Sequence, residues 1–345
     1  MNRKPENTDC LLPGRYYALL LDFVKRDGTA IGGLLERNGI DPASLGKPDS
    51  VLRLDQVDAL IDAVVEATGS EHLGFEIGRM IKPSNHALLG YALMTSATLD
   101  QALLMATRYW RLITPIFTLR HVRLVDGVQL NLESAIDLKP STLRFHIEAI
   151  ATAIHAEIGF LLSTRIPRYD LHLPQDLASA ARRYRQLAPA RVHFDAINRT
   201  GLQLDLPVEM LARPLALADR NALTVARQRC EEELSRLIRH GSLTEWLTTM
   251  LDQADDHQPR LQELARMLHL SPRSLNRRLG AEGSRFRELG VQSRHRRACS
   301  LLAERRLSIT RIALQLGYRD AANFTRAFRR LEGISPTAFR SRLKN

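Results

Sequence analysis

Beyond residue 260 the chain repeats itself. "ELARMLHLSPRSLNRRL" (263–279) returns as "RIALQLGYRDAANFTRAF" (311–328). Leu264, Ala265 and Leu268 match Ile312, Ala313 and Leu316 at a separation of 48, and Leu275, Arg277 and Leu279 match Phe324, Arg326 and Phe328 at 49, so the second copy carries one extra residue in its turn. Repetition of this kind fixes an architecture more firmly than any single motif. Each copy predicts a short helix with a small residue, a tight turn, and a second helix whose apolar residues stand four apart. That is the pattern of a helix-turn-helix, in which alanine lets two helices cross closely while the second projects outward.

The outward sides of the second helices carry the chemistry. With Leu275 and Leu279 facing inward at about 100° per residue, Arg273 and Arg277 fall nearly opposite and Asn276 lies on the flank. The same construction turns Ala322, Thr325, Arg326 and Arg329 outward in the second copy. Guanidinium forks match guanine O6 and N7, and asparagine matches adenine N6 and N7, so these faces suit base reading and not charge alone. Ser271 and Ser308 mark helix N-termini, where backbone N–H groups suit phosphate. Between the copies, "SRFRELGVQSRHRRACSLLAERR" predicts one helix of about 20 residues, or about 30 Å. One turn of DNA is about 34 Å, which would let one chain set two reading helices into successive major-groove segments. Arg294, Arg296 and Arg297 on this connector are candidates for phosphate contact or plain surface charge.

Charge follows the same division. Residues 241–345 hold nineteen Arg and one Lys against ten Asp and Glu, whereas residues 1–240 hold 29 Lys and Arg against 28 Asp and Glu. Nearly all of the formal +11 therefore belongs to the last third, which favours a polyanionic partner. A domain boundary is expected near 240: a helical pattern from Pro214, with Leu223, Ala226, Cys230, Leu234 and Leu237 on one side, ends at Gly241. Ser242 and Glu245 then read as a capping box for the next helix. The pattern helix is equally suited to packing on its own domain, to acting as a strut, or to dimerisation.

The front domain, 1–240, reads as α+β. Thr98 starts an amphipathic helix over 98–113. "FTLRHVRLV" and "VQLNLES" flank an Asp126-Gly127 hairpin turn. A long apolar helix over about 141–162 is followed by the short strands "YDLHLP", "RVHFD" and "TGLQLDLP". Cys10, Cys230 and Cys299 form no CxxC or Cys/His cluster with zinc spacing, so no metal or cofactor is expected. No stretch approaches the roughly 18 to 20 apolar residues of a membrane span, and no leader with a cleavage pattern is seen, so a cytoplasmic, reduced protein is expected.

On "LAxxLxxSPRxLxRRL", "SITRIALQLGYRDAANFTRAFRRLEGISPTAFR" and their spacing, residues 242–342 resemble the DNA-binding domain of the AraC/XylS family of bacterial transcription regulators. The resemblance implies base contact by Arg273, Asn276, Arg277, Thr325 and Arg326. Ala321 and Ala322 stand where members often carry polar side chains, which implies weaker base reading by the second helix or reading by shape. "LGFEIGRMIKPSNHALLGYALMTSATLDQALLMATRYWRLITP" and "RVHFDAINRTGLQLDLPVEMLARPLALAD" resemble the large arabinose-binding-like sensor domain of ornithine-utilisation and virulence regulators in that family. The implied fold is an α+β N-terminal effector domain followed by an all-α C-terminal domain with two helix-turn-helix motifs joined by a long helix.

The implied function is effector-responsive transcription regulation, more often activation. Its expected partners are double-stranded promoter or operator DNA, a small-molecule effector, RNA polymerase and a second copy in a homodimer. Arg108 to Arg111 ("RYWR"), His86 and Tyr91 are candidates for an effector carboxylate, against a core role. DNA-repair methyltransferases that share the DNA-binding region need a cysteine-rich zinc site that three isolated cysteines do not supply, so no enzyme is expected. A ligand-independent architectural protein, with a front domain that only oligomerises, is the alternative.

Overall fold

The structure is a computed structural model that describes residues 10–27, 32–47, 49–163, 165–195, 200–240, 243–252, 258–268, 270–303 and 307–342. The chain divides into two compact units, Met1–Cys230 and Glu231–Asn345. The division falls inside the helix Arg220–His240, and the boundary expected near 240 lies at that helix's end. The first unit is α+β and the second all-α, as the patterning implies.

In the first unit, β1 (Leu11–Pro13) and β2 (Val51–Arg53) pair antiparallel, and the helices Gly14–Asp27, Leu54–Thr68, Leu73–Met80, Leu88–Thr95 and Leu99–Arg108 precede the main sheet. That sheet holds β3 (Phe117–Leu124), β4 (Gly127–Ser134), β5 (Asp170–Leu173), β6 (Arg191–Phe194) and β7 (Gly201–Pro207) in the order β3-β4-β7-β5-β6. All its pairs are antiparallel except β5 with β6. Alternation sets one face inward: His121 pairs with Leu130, which pairs with Leu204, which pairs with Leu171, and all four are buried. The opposite face carries a polar ladder, in which Gln129 Nε2 donates to Asp205 at 2.9 Å and Arg120 pairs with Glu133.

The helix Pro140–Leu162 is the centre of this unit. It is long and apolar enough to cross a membrane by length and composition, contrary to the expectation that no stretch approaches that limit. Here 61% of its most apolar window is buried inside the unit, so its hydrophobicity is spent on the core. The helix Leu73–Met80 lies against it through two glycines. A Cβ on Gly74 would stand 2.1 Å from the Phe145 carbonyl oxygen, and one on Gly78 would stand 2.4 Å from that of Ala149. Between them the two helices leave no room for a methyl group.

Several boundaries differ from those the sequence suggests. The helix capped by Thr98 ends at Arg108, and Trp110–Leu112 forms a separate 3-10 turn. The helix expected from Pro214 starts at Arg220, because Pro214 bridges to Thr98 and the Asp219 carboxylate accepts from the N–H groups of Asn221 and Ala222. Its Ala226, Cys230 and Leu234 are buried as the spacing implies, whereas Leu237 is 46% exposed. Ser242 lies outside the described residues. At the start of the helix Leu243–Asp252 the Glu282 carboxylate oxygens accept from the N–H groups of Leu243 and Thr244 at 2.8 Å each.

The second unit places the helices Leu261–Met267 and Pro272–Ala281 before the connector Phe286–Ala303, and Ile309–Gln315 and Ala321–Glu332 after it. Leu264, Ala265, Leu275 and Leu279 are buried in the first motif; Ile312, Ala313, Phe324 and Phe328 are buried in the second, against Ala298, Leu301 and Leu302 of the connector.

Two outcomes test this packing. Gly74→Ala should overpack the helix crossing and destabilise the first unit by about 1 to 3 kcal/mol, while Gly280→Ala, which meets nothing within 4 Å, should not. Thermal unfolding of both variants checks this. The second concerns His146, fully buried, whose Nδ1 lies 2.7 Å from the Thr142 carbonyl and whose Nε2 lies 2.8 Å from the Tyr17 hydroxyl. Burial lowers its pKa from the ordinary 6.5 to about 4. The folded state therefore holds a neutral ring, and its contribution is complete above pH 6.5 and lost as pH falls toward 4. His146→Gln should flatten the fall in stability between those pH values relative to the wild type, measured by denaturant unfolding.

Candidate functional site

The two reading helices are held by the same device. Each starts at a capping side chain: the Ser271 hydroxyl accepts from the Ser274 N–H at 3.1 Å, and the Asp320 carboxylate from the Asn323 N–H at 2.7 Å. Each turn is closed by a bond back to the buried alanine, Leu270 N–H to the Ala265 carbonyl and Tyr318 N–H to that of Ala313, both at 2.9 Å. Those bonds are 48 apart and the caps 49 apart, which locates the extra residue of the second copy at Arg319. Gly317, at φ 78°, supplies the left-handed step of that turn.

With Leu275 and Leu279 buried, Arg273, Asn276 and Arg277 are all exposed. On the second helix Ala322, Arg326 and Arg329 are exposed. Thr325 departs from expectation: it is half-buried and its hydroxyl donates to the Ala321 carbonyl at 2.7 Å, as threonine does inside helices. Arg326 is oriented by neighbours, for its Nη2 donates to Asn323 Oδ1 at 2.6 Å while Asn323 Nδ2 donates to Asp320 Oδ2 at 2.8 Å. Asn323 was not singled out by the sequence pattern, although its position one turn before Arg326 is visible there. The Ser271 and Ser308 side chains are engaged as N-caps, the latter accepting from Arg311 N–H at 3.2 Å.

The connector spans 18 residues, about 27 Å at 1.5 Å per residue. Two of its arginines hold the fold. Arg296 makes a forked pair with Asp252, at 3.1 and 2.8 Å, and Arg294 Nη1 donates to Gln258 Oε1 at 2.6 Å. Arg294 and Arg297 also line, with Arg287 and Arg330, a cleft of about 470 Å³ between the connector and the second motif. Arg287 and Arg330 escaped the sequence reading because nothing local marks them as convergent. The structure also brings together one grouping that the zinc-spacing patterns do not cover. His295 and Cys299, one turn apart on the connector, meet Glu332 with donor atoms within 4.8 Å of one another. The signal was the spacing HxxxC. Burial and the nearby Glu332 carboxylate push the Cys299 thiol up to about 11.

The first unit contains a cavity of about 100 Å³ whose wall is mostly apolar, including Ile77, Leu103, Ile154 and Leu161. At its polar edge the Tyr16 hydroxyl lies 2.7 Å from His86 Nδ1, and His86 Nε2 bonds the Glu157 carboxylate. Burial raises the Tyr16 pKa to about 12, so the phenol keeps its proton. The Trp110 indole N–H and the Thr114 hydroxyl also belong to lining residues, and both are buried with no hydrogen-bond partner among the described residues. Of the residues suggested by sequence, His86 and Trp110 line this cavity. Arg108, Arg111 and Tyr91 are not among the residues of its wall; Tyr91 is 47% exposed, and Tyr109 is core.

Residues 28–215 match the family model of the "Arabinose-binding domain of AraC transcription regulator, N-term", and residues 264–342 match a "Helix-turn-helix domain". The chain is 30% identical to the ornithine utilization regulator of Pseudomonas aeruginosa, over 96% of each chain. It is 27% identical to the HTH-type transcriptional regulator VqsM of the same organism, over 82% of this chain and 88% of that one. Among solved structures, the transcriptional regulator CdpR from Pseudomonas aeruginosa aligns over 95% of this chain and 98% of its own, at 23% identity and a TM-score of 0.48. Two family matches in the expected order, a full-length regulator relative, and two buried-anchor helix-turn-helix motifs agree: the chain belongs to the AraC family, as a DNA-binding transcription regulator and not an enzyme.

Proposed function

We propose that this regulator is a cytoplasmic homodimer that activates transcription in response to a small molecule, setting both reading helices of each chain on promoter DNA so that RNA polymerase is recruited there. The observation that carries the DNA part is the pair of outward arginine faces, Arg273 and Arg277 on one helix and Arg326 and Arg329 on the other, each backed by two buried anchors. In this reading Arg273, Asn276, Arg277 and Arg326 read base edges. Arg329 and the cleft arginines Arg287 and Arg330 meet phosphates, and the N-termini at Ser271 and Ser308 lie against the backbone. Thr325 contributes through its methyl group, since its hydroxyl is already engaged.

The effector reading rests on the cavity. Two unpartnered buried donors each cost about 1 to 3 kcal/mol, which a ligand acceptor would relieve. The wall chemistry favours an apolar molecule with one or two acceptor groups. It does not suit an amino acid with two ammonium groups and a carboxylate, although one relative is named for ornithine utilization. At about 100 Å³ the space is below the roughly 300 to 1,000 Å³ of drug-sized sites, so a larger ligand requires the wall to move.

Anisotropy titrations of the full chain on the DNA upstream of its own gene and on shuffled DNA, across a salt series, test the first part. Arg277→Ala should cost about 1 to 3 kcal/mol on the specific site and relax its sequence preference. Arg296→Ala should leave that preference intact and lower stability instead, because its partner is Asp252. Equal, steeply salt-dependent binding to both DNAs would favour an architectural protein. For the second part, an apolar ligand at about 100 times its Kd should stabilise the first unit by about 2.7 kcal/mol, with the gain reduced in Trp110→Phe. A panel of such ligands that leaves the thermal midpoint unmoved would remove the effector reading.

A further inference from the structure

The grouping at the far end of the second reading helix has the make-up of a cation site. His295 Nε2 lies 3.7 Å from Cys299 Sγ and 2.8 Å from Glu332 Oε1, and Cys299 Sγ lies 3.9 Å from the same Glu332 oxygen. Zinc bonds of about 2.0 to 2.3 Å in a tetrahedron put neighbouring donors roughly 3.3 to 3.8 Å apart. The two edges to sulfur are near that range. The third opens to it by a small withdrawal of the Glu332 carboxylate, a long and partly exposed side chain.

The surroundings favour a bound ion. His295 and Cys299 share one face of the connector as an i, i+4 pair. The imidazole is held by Phe328, with ring centroids 5.0 Å apart and planes at 47°, which fixes its orientation against the core of the second motif. The Cys299 side chain packs on that same core. The His295 and Glu332 side chains keep 18% and 33% of their exposure, so solvent reaches the site and can supply a fourth ligand. A thiolate and a carboxylate together balance a divalent charge, and a nitrogen–sulfur donor pair selects zinc-like ions over magnesium or calcium.

We propose that His295, Cys299 and Glu332 bind one zinc-like divalent cation, which fastens the last residue of the helix Ala321–Glu332 to the connector. On binding, the Cys299 thiol gives its proton to solvent as the metal–sulfur bond forms, with no change of oxidation state. The ion would join the end of the second reading helix to the rod that positions it, adding a constraint with no counterpart among the described residues of the first motif.

The test uses the reduced, chelator-treated full chain and Co²⁺ as the spectroscopic probe, with Zn²⁺ as competitor, in the absence of DNA. Its failure is therefore separate from any failure of DNA reading. Expected are one equivalent bound, a thiolate-to-cobalt charge-transfer band in the near ultraviolet, and its loss on adding Zn²⁺. The band should persist in Cys10→Ser and vanish in Cys299→Ser. Glu332→Gln, which keeps the side chain's length and an amide oxygen to accept from His295, should weaken binding by about tenfold or more. No band in the wild type, a band that survives Cys299→Ser, or unchanged affinity in Glu332→Gln would overturn the proposal, leaving His295 and Glu332 as an ordinary hydrogen-bonded pair.

Discussion

Burial of two apolar side chains four residues apart on each reading helix is the constraint on which the DNA-binding unit depends. Leu275 with Leu279, and Phe324 with Phe328, fix which side of each helix faces the protein. Once that is fixed, the helical repeat leaves no freedom in which residues face out. Arginine at 277 and 326 is therefore outward as a consequence of leucine and phenylalanine two residues away on either side. The buried alanines at 265 and 313 complete the arrangement, each being small enough for the partner helix to lie close and each offering its carbonyl to the residue that closes the turn.

The first unit obeys a different constraint, close approach in place of anchoring. Gly74 and Gly78 bring the helix Leu73–Met80 against Pro140–Leu162 more tightly than any side chain would permit. The same central helix supplies Ile154, Leu161 and Glu157 to the cavity wall. Packing at the glycine crossing and the shape of the cavity are therefore set by one element. A shift of that helix on ligand entry would be felt at the crossing.

The second unit was legible in the sequence because its pattern is local: anchors four apart, capping residues one turn ahead, and a repeat that confirms both. What failed there were residues whose roles depend on distant partners. Arg296 and Arg277 are the same residue type in similar arginine-rich stretches, and only Asp252, 44 positions before Arg296, separates a structural ion pair from an outward arginine. Likewise Glu282 caps a helix start 39 positions earlier, a reach that no local capping rule describes. In the first unit the strands and hairpin were legible from alternation. The cavity was not, because Tyr16, His86, Trp110 and Glu157 come from four separate segments that periodicity assigns to the core. The apolar helix Pro140–Leu162 was legible as a helix, but composition alone does not say whether lipid or protein covers it; its burial in the first unit does.

The connector has a further meaning for the DNA that such a chain reads. A helix of 18 residues held by Arg296 to Asp252 at one side and by Leu301 and Leu302 to the second motif does not stretch. In the proposed reading, the interval between the two segments met by one chain is thus written into the protein. Inserting one base pair between them would turn the second segment by about 35° around the duplex axis, with 10 to 10.5 base pairs per turn. On that reading, promoters under the control of this regulator are free to drift in the letters between the two segments, but not in their number.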